Sequence, residues 1–116
     1  MGELDQLRER LAAFAAERDW GRFHSPKNLV MALTVECAEL AEHFQWLTAE
    51  QSQELSAQKW QEVRLELADV LIYLIRLSDQ LGVNLLEAAH EKIAINEKRY
   101  PAERVRGDAR RAAEYD

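Results

Sequence analysis

Leu4, Leu7, Leu11 and Phe14 recur at steps of three and four residues, which predicts an amphipathic helix over about 3–18. The stretch from Asp19 to His24 breaks that period and reads as a loop. Ser25-Pro26 marks a helix start, with Ser as N-cap and Pro at the first helical position. The second helix then runs to about Trp46, with an apolar stripe of Leu29, Leu33, Leu40 and Phe44. Thr48-Ala49-Glu50-Gln51 has the capping-box pattern and predicts a short helix in the connection. A third helix follows over about 56–81 and stops at Gly82, a natural C′ residue. Asn84 to Glu87 opens a fourth helix, which ends before Pro101. The pattern predicts an all-α fold, an antiparallel helix bundle of four main helices. One domain spans 1–101, and a charged tail over 102–116, rich in Arg and Ala, is expected to be flexible.

Polar residues on apolar faces carry more information than the stripes themselves. Glu36 lies three after Leu33 and four before Leu40, so it sits on the stripe of the second helix. Glu39 lies one turn further along its edge, and His43 follows. The third helix is apolar almost all round, with Val63, Leu65, Leu67, Val70, Leu71, Ile72, Leu74, Ile75 and Leu77. Such a helix is buried in its bundle or in an oligomer. Its one polar stripe holds Glu62, Glu66, Asp69, Tyr73 and Arg76. That stripe reads either as a solvated face with helical ion pairs, or as a carboxylate pair, Glu66 and Asp69, aimed at Glu36 and Glu39. Four converging carboxylates repel unless divalent cations bind there. Oxygen ligands without Cys or paired His favour Mg²⁺ or Mn²⁺ over zinc.

On the fourth helix Lys92, Asn96 and Tyr100 fall at steps of four, with Arg99 close by. Cations there suit a metal–phosphate complex; alternatively they only neutralise the acids or complement the helix C-terminus. Trp20, Phe23, His24 and Trp46 cluster at helix ends, where they stack a base or close an oligomer interface. Cys37 reads as a small core residue. Glu87-Ala88-Ala89-His90 fits the Glu-x-x-His pair of di-iron bundles, but no second copy accompanies it.

Composition narrows the partners. The 116 residues hold Lys+Arg 15 against Asp+Glu 21, a net charge of −6, which disfavours nucleic-acid polymers. Hydrophobic residues at 47% are enough for a core without staples, and a single Cys excludes an intramolecular disulfide. No apolar run is long enough to span a membrane. The acidic start Met1-Gly2-Glu3-Leu4-Asp5 has no signal-peptide character. The expectation is a soluble, cytoplasmic protein.

Glu36-Cys37-Ala38-Glu39 followed by Glu66-Leu67-Ala68-Asp69 resembles the acidic signature of the all-α (MazG-like) nucleotide pyrophosphohydrolases. The segments Ala16 to Trp20, Phe23-His24, Pro26 to Leu29, Phe44-Gln45-Trp46, Asp69 to Leu74 and Arg99-Tyr100-Pro101 resemble the dCTP pyrophosphatase branch. The resemblance implies that Glu36, Glu39, Glu66 and Asp69 hold Mg²⁺ on a nucleoside triphosphate. Water is then split across the α–β phosphoanhydride, giving monophosphate and pyrophosphate, with Glu36 or Glu39 taking the proton. It further implies that Lys92 and Arg99 contact phosphate, and that Tyr100 supports the phosphates or sugar. Trp20, His24 and Trp46 enclose the base, and Asn96 reads its polar edge. It also implies a homo-oligomer, a tetramer for preference, with sites shared between subunits. Two other readings remain: an all-α dUTPase-like enzyme of different base preference, and a non-catalytic helical adaptor whose acids decorate its surface.

Overall fold

The computed structural model describes residues 2–114, which form helices and connections with no strand. Four long helices dominate: α1 (Glu3–Glu17), α2 (Pro26–Glu42), α4 (Ala57–Leu81) and α5 (Leu85–Arg99). Of two short helices, α3 (Ala49–Ser52) lies in the connection between α2 and α4, and α6 (Ala102–Val105) follows α5. Each start signal is realised in hydrogen bonds. The Ser25 side chain accepts from the Asn28 N–H, Ser56 from the Lys59 N–H and Asn84 from the Glu87 N–H. Thr48 and Gln51 make both bonds of a capping box. Gly82, at φ 68°, closes α4 in the left-handed region that a side chain disfavours.

The chain divides after Val83 into two compact units. The first holds α1, α2 and α4, and the second holds α5 and α6. In the first unit α2 and α4 run antiparallel. As the chain passes His24, Glu36 and His43, the facing residues on α4 are Arg76, Glu66 and Lys59. Buried apolar side chains come from all three helices: Ala15, Leu29, Val63 and Ile75.

The azimuth of α4 is the main finding of the fold. Part of its polar stripe faces inward: Glu66 is half-buried against α2 and Arg76 is buried, while Glu62 and Asp69 stay exposed. Leu65, Leu67, Leu71 and Leu74 are exposed instead. A solvated stripe is therefore the wrong reading for Glu66 and Arg76. Periodicity fixes angles around one helix, while the neighbouring helices decide which angle points inward.

One boundary, one loop and one core assignment need correction. α2 ends at Glu42, not Trp46. The His43 N–H bonds to Leu40 and the Phe44 N–H to Ala41, three residues back, which tightens the chain into a turn. The loop over 19–24 contains a 3₁₀ turn at Gly21–Phe23, tied to α2 by the Asn28 side chain donating to the Phe23 carbonyl. Cys37 is an exposed free thiol, since the face of α2 that carries it is turned away from the packed side. Beyond Pro101 the charged tail forms α6 and a second 3₁₀ turn at Ala112–Glu114. Residue 1 and residues 115 and 116, the last two of that tail, lie outside the described residues. No helix among the described residues is long and apolar enough to cross a membrane.

Candidate functional site

One carboxylate oxygen each from Glu36, Glu39 and Glu66 lies within 4.8 Å of the others. Glu36 and Glu39 come from successive turns of α2, and Glu66 meets them from α4. Glu36 and Glu66 are half-buried and Glu39 is exposed. Glu36 Oε2 and Glu66 Oε1 are buried with no hydrogen-bond partner among the described residues. An unsatisfied buried polar atom costs about 1–3 kcal/mol, more when charged.

The electrostatics follow from that crowding. With every carboxylate ionised, the cluster contains no donor. A proton bridging Glu36 to Glu66 relieves this, and it is the largest reason that the Glu36 pKa is pushed up to about 7. Burial adds to the shift, then the charge and hydrogen bonding of Glu39, then the charge of Asp69. Asp69 is thus near enough to act on Glu36, although it lies outside the three-oxygen cluster and is exposed. An all-oxygen set with two orphaned acceptors fits a hard divalent cation.

Beside the cluster lies an open cavity of about 440 Å³, lined by Glu39, Glu42, His43, Lys59 and Glu66. Lys59 Nζ stands 3.3 Å from His43 Nδ1 and 3.5 Å from Glu62. Lys59 puts a cation on the rim of the carboxylates, and sequence reading missed it. The available signal was its position seven before Glu66, two turns along the same face.

A second cavity, of about 180 Å³, opens between α1, α4 and the 3₁₀ turn. Leu11, Phe14, Trp20, His24, Tyr73 and Arg76 are among its walls. Trp20 packs edge-on to Phe14 at 5.7 Å between ring centroids and lies 6.2 Å from the His24 ring. Burial, then the Arg76 charge, holds His24 below the usual histidine range. The structure therefore brings Trp20 and His24 together. Trp46 does not join them: it is 87% exposed, beyond the other end of α2. The 17 residues of that helix separate the two positions by about 25 Å. Within one chain the three rings do not enclose one base.

The remaining sequence-predicted residues sit in the second unit, on α5 and its C-cap. Lys92 and Arg99 are exposed, and Asn96 is half-buried. Tyr100 caps the helix, donating its N–H to the Asn96 carbonyl, and the Arg99 guanidinium lies 5.6 Å from the Tyr100 ring.

Residues 31–113 match the model of the MazG-like family. The chain is 44% identical over 113 residues to dCTP pyrophosphatase 1 of Homo sapiens, covering 96% of this chain and 66% of that protein. It is 44% identical over 111 residues to the Rattus norvegicus protein of the same name, covering 91% and 64%. The chain thus spans just under two thirds of the length of these relatives. A crystal structure of a pyrophosphatase from Archaeoglobus fulgidus superposes with a TM-score of 0.82 at 38% identity, covering 87% of this chain and 94% of that one.

Proposed function

Because the chain belongs to the MazG-like family, we propose that it hydrolyses a deoxynucleoside triphosphate, dCTP or a modified dCTP, to the monophosphate and pyrophosphate. The similarity to dCTP pyrophosphatases supports the substrate class. The observation that carries the reaction is the pair of orphaned buried oxygens, Glu36 Oε2 and Glu66 Oε1. A helical adaptor has no use for two unsatisfied acceptors facing each other between its longest helices.

Glu36, Glu39, Glu66 and Asp69 would hold Mg²⁺, or Mn²⁺ in its place. Bound there, the ion would neutralise phosphate oxygens and sharpen the attacking water. Glu39 would accept the proton from water arriving on the cavity side; its exposure and its position on the cavity wall support that role. Lys59 on the same wall faces the phosphates. Trp20 and His24 hold the base. Lys92 and Arg99 add phosphate contacts, Asn96 reads the base edge and Tyr100 supports the phosphates or sugar.

The same reading includes a homo-oligomer, a tetramer for preference. Its support is the apolar surface of one chain: Met31 is 61% exposed, Leu65 58%, and Val35 and Leu71 are exposed as well. The separation of Trp46 from Trp20 adds to it, since a second chain brings one chain's Trp46 to another's Trp20. A cytoplasmic setting is part of the reading, because the exposed free thiol of Cys37 suits a reducing compartment.

Thermal shift tests the proposal. MgCl₂ together with dCTP at about 100 times its Kd should stabilise the protein by about 2.7 kcal/mol through mass action. A protein that responds to neither metal nor nucleotide would be the adaptor instead.

A further inference from the structure

Arg76 is buried, with its side chain only 7% exposed, and its polar contacts are unusual for a buried arginine. Its Nε and Nη2 lie 3.3 Å and 3.2 Å from one atom, Nδ1 of His24. Arginine has no acceptor and keeps its charge, so both groups donate and Nδ1 accepts. On the other side Arg76 Nη1 donates to Asp79 at 3.5 Å, and Asp79 also faces Arg8 of α1 at 3.9 Å. The guanidinium is held from behind by Asp79 and aimed at the histidine.

We propose that Arg76 is a positioning residue for His24. It fixes the imidazole in the neutral form that carries its proton on Nε2, so the ring offers the 180 Å³ cavity a hydrogen-bond donor. The ligand edge that meets His24 is then an acceptor, a ring nitrogen or carbonyl oxygen of the base. This rests on the reading above, in which that cavity takes the base. An edge presenting an amino group would set donor against donor and leave both unpaired in an apolar cavity, which penalises the wrong base. Burial acts in the same direction as the Arg76 contact, since both disfavour the charged ring.

The test is the protonation pattern of the His24 ring in the full chain, read by long-range proton–nitrogen correlation and assigned with H24N. Steady-state kinetics with dCTP run alongside. Wild type should show a single Nε2–H form at neutral pH. R76M should show mixed tautomers, with KM raised about tenfold, the scale of one hydrogen bond, and kcat within about twofold. R76K keeps a donor and should restore the Nε2–H form and part of the lost KM. An Nδ1–H or charged His24 in wild type overturns the proposal. So does an R76M protein with unchanged tautomer and KM. If R76M fails to fold, R76K decides: an Nδ1–H ring there overturns the proposal, and a retained Nε2–H ring supports it. A wild-type protein that hydrolyses no nucleotide contradicts the functional reading alone, because the ring measurement needs no turnover.

Discussion

Glu36 and Glu66 approach from antiparallel helices, and each leaves one buried carboxylate oxygen without a hydrogen-bond partner. Nothing in the packing of α2 and α4 requires this. A leucine in place of Glu36 would extend the apolar stripe of α2, and a leucine at either position would remove the repulsion. On the function proposed above, these two acids trade stability of the metal-free chain for metal binding.

The first prediction follows from that conflict. Glu36→Gln supplies an amide donor to the cluster and removes one negative charge. Without metal it should melt higher than wild type, by roughly 4 °C for each kcal/mol gained in a chain of this size. With Mg²⁺ it should lose both turnover and metal-dependent stabilisation. A variant that melts lower in chelator and still hydrolyses nucleotide contradicts the assignment. Asp69→Ala should likewise abolish turnover while the helical fold persists.

A second prediction concerns pH. Glu36 has its folded pKa raised to about 7, from an ordinary value of 4.5. The folded state therefore holds a proton that the unfolded state releases. This contribution to stability is fully present below about pH 4.5 and is lost as pH rises through 7. The metal-free melting temperature should fall between pH 5 and pH 8, and Glu36→Gln should flatten that fall. Metal binding displaces the same proton, so Mg²⁺ affinity should rise over the same window. Melting curves in chelator that rise from pH 5 to pH 8 in wild type but not in the variant would contradict the shared proton.

Much of this was legible in the residues. Glu36 announces itself by sitting within the Leu29–Leu33–Leu40 stripe, and Ser25, Thr48, Ser56, Gly82 and Asn84 each mark a helix end through hydrogen bonds to near neighbours. Such signals are local, so sequence carries them. Facing relationships are not local. The burial of Arg76, the exposure of Cys37 and the meeting of Lys59 with His43 depend on how α2 and α4 turn toward each other. A helix as apolar as α4 offers no unambiguous outer face from which to read that rotation.

Trp46 gives a third prediction. It is 87% exposed, so Trp46→Ala should cost the single chain almost nothing. Stacking on a base is worth about 1–3 kcal/mol, so KM should rise for every accepted nucleotide. In a mixture of Trp46→Ala and Trp20→Ala chains that exchange subunits, some sites would regain both rings, and activity should partly return. Steady-state kinetics that leave KM unchanged in Trp46→Ala would remove it from the site.

Asn96 is the half-buried amide on the Lys92 face of α5. Asn96→Ala should erode the preference for dCTP over dTTP, because an amide matched to one base is left unpaired by the other. The ratio of kcat/KM for the two nucleotides measures this directly. An unchanged ratio would show that Asn96 does not read the base.

The exposed leucines of α4 and the exposed Met31 and Val35 of α2 call for a cover. Light scattering at micromolar concentration should find a stable oligomer. A species of 13.4 kDa, the mass of one chain, would contradict the shared-site arrangement.

Product analysis across the dNTPs and NTPs, with Mg²⁺ and with chelator, addresses the central claim most directly. The account predicts pyrophosphate and nucleoside monophosphate in equal amounts, fastest with dCTP or a modified dCTP. It predicts no turnover in chelator or after Asp69→Ala. Orthophosphate as the product, or hydrolysis that persists in chelator, would contradict it.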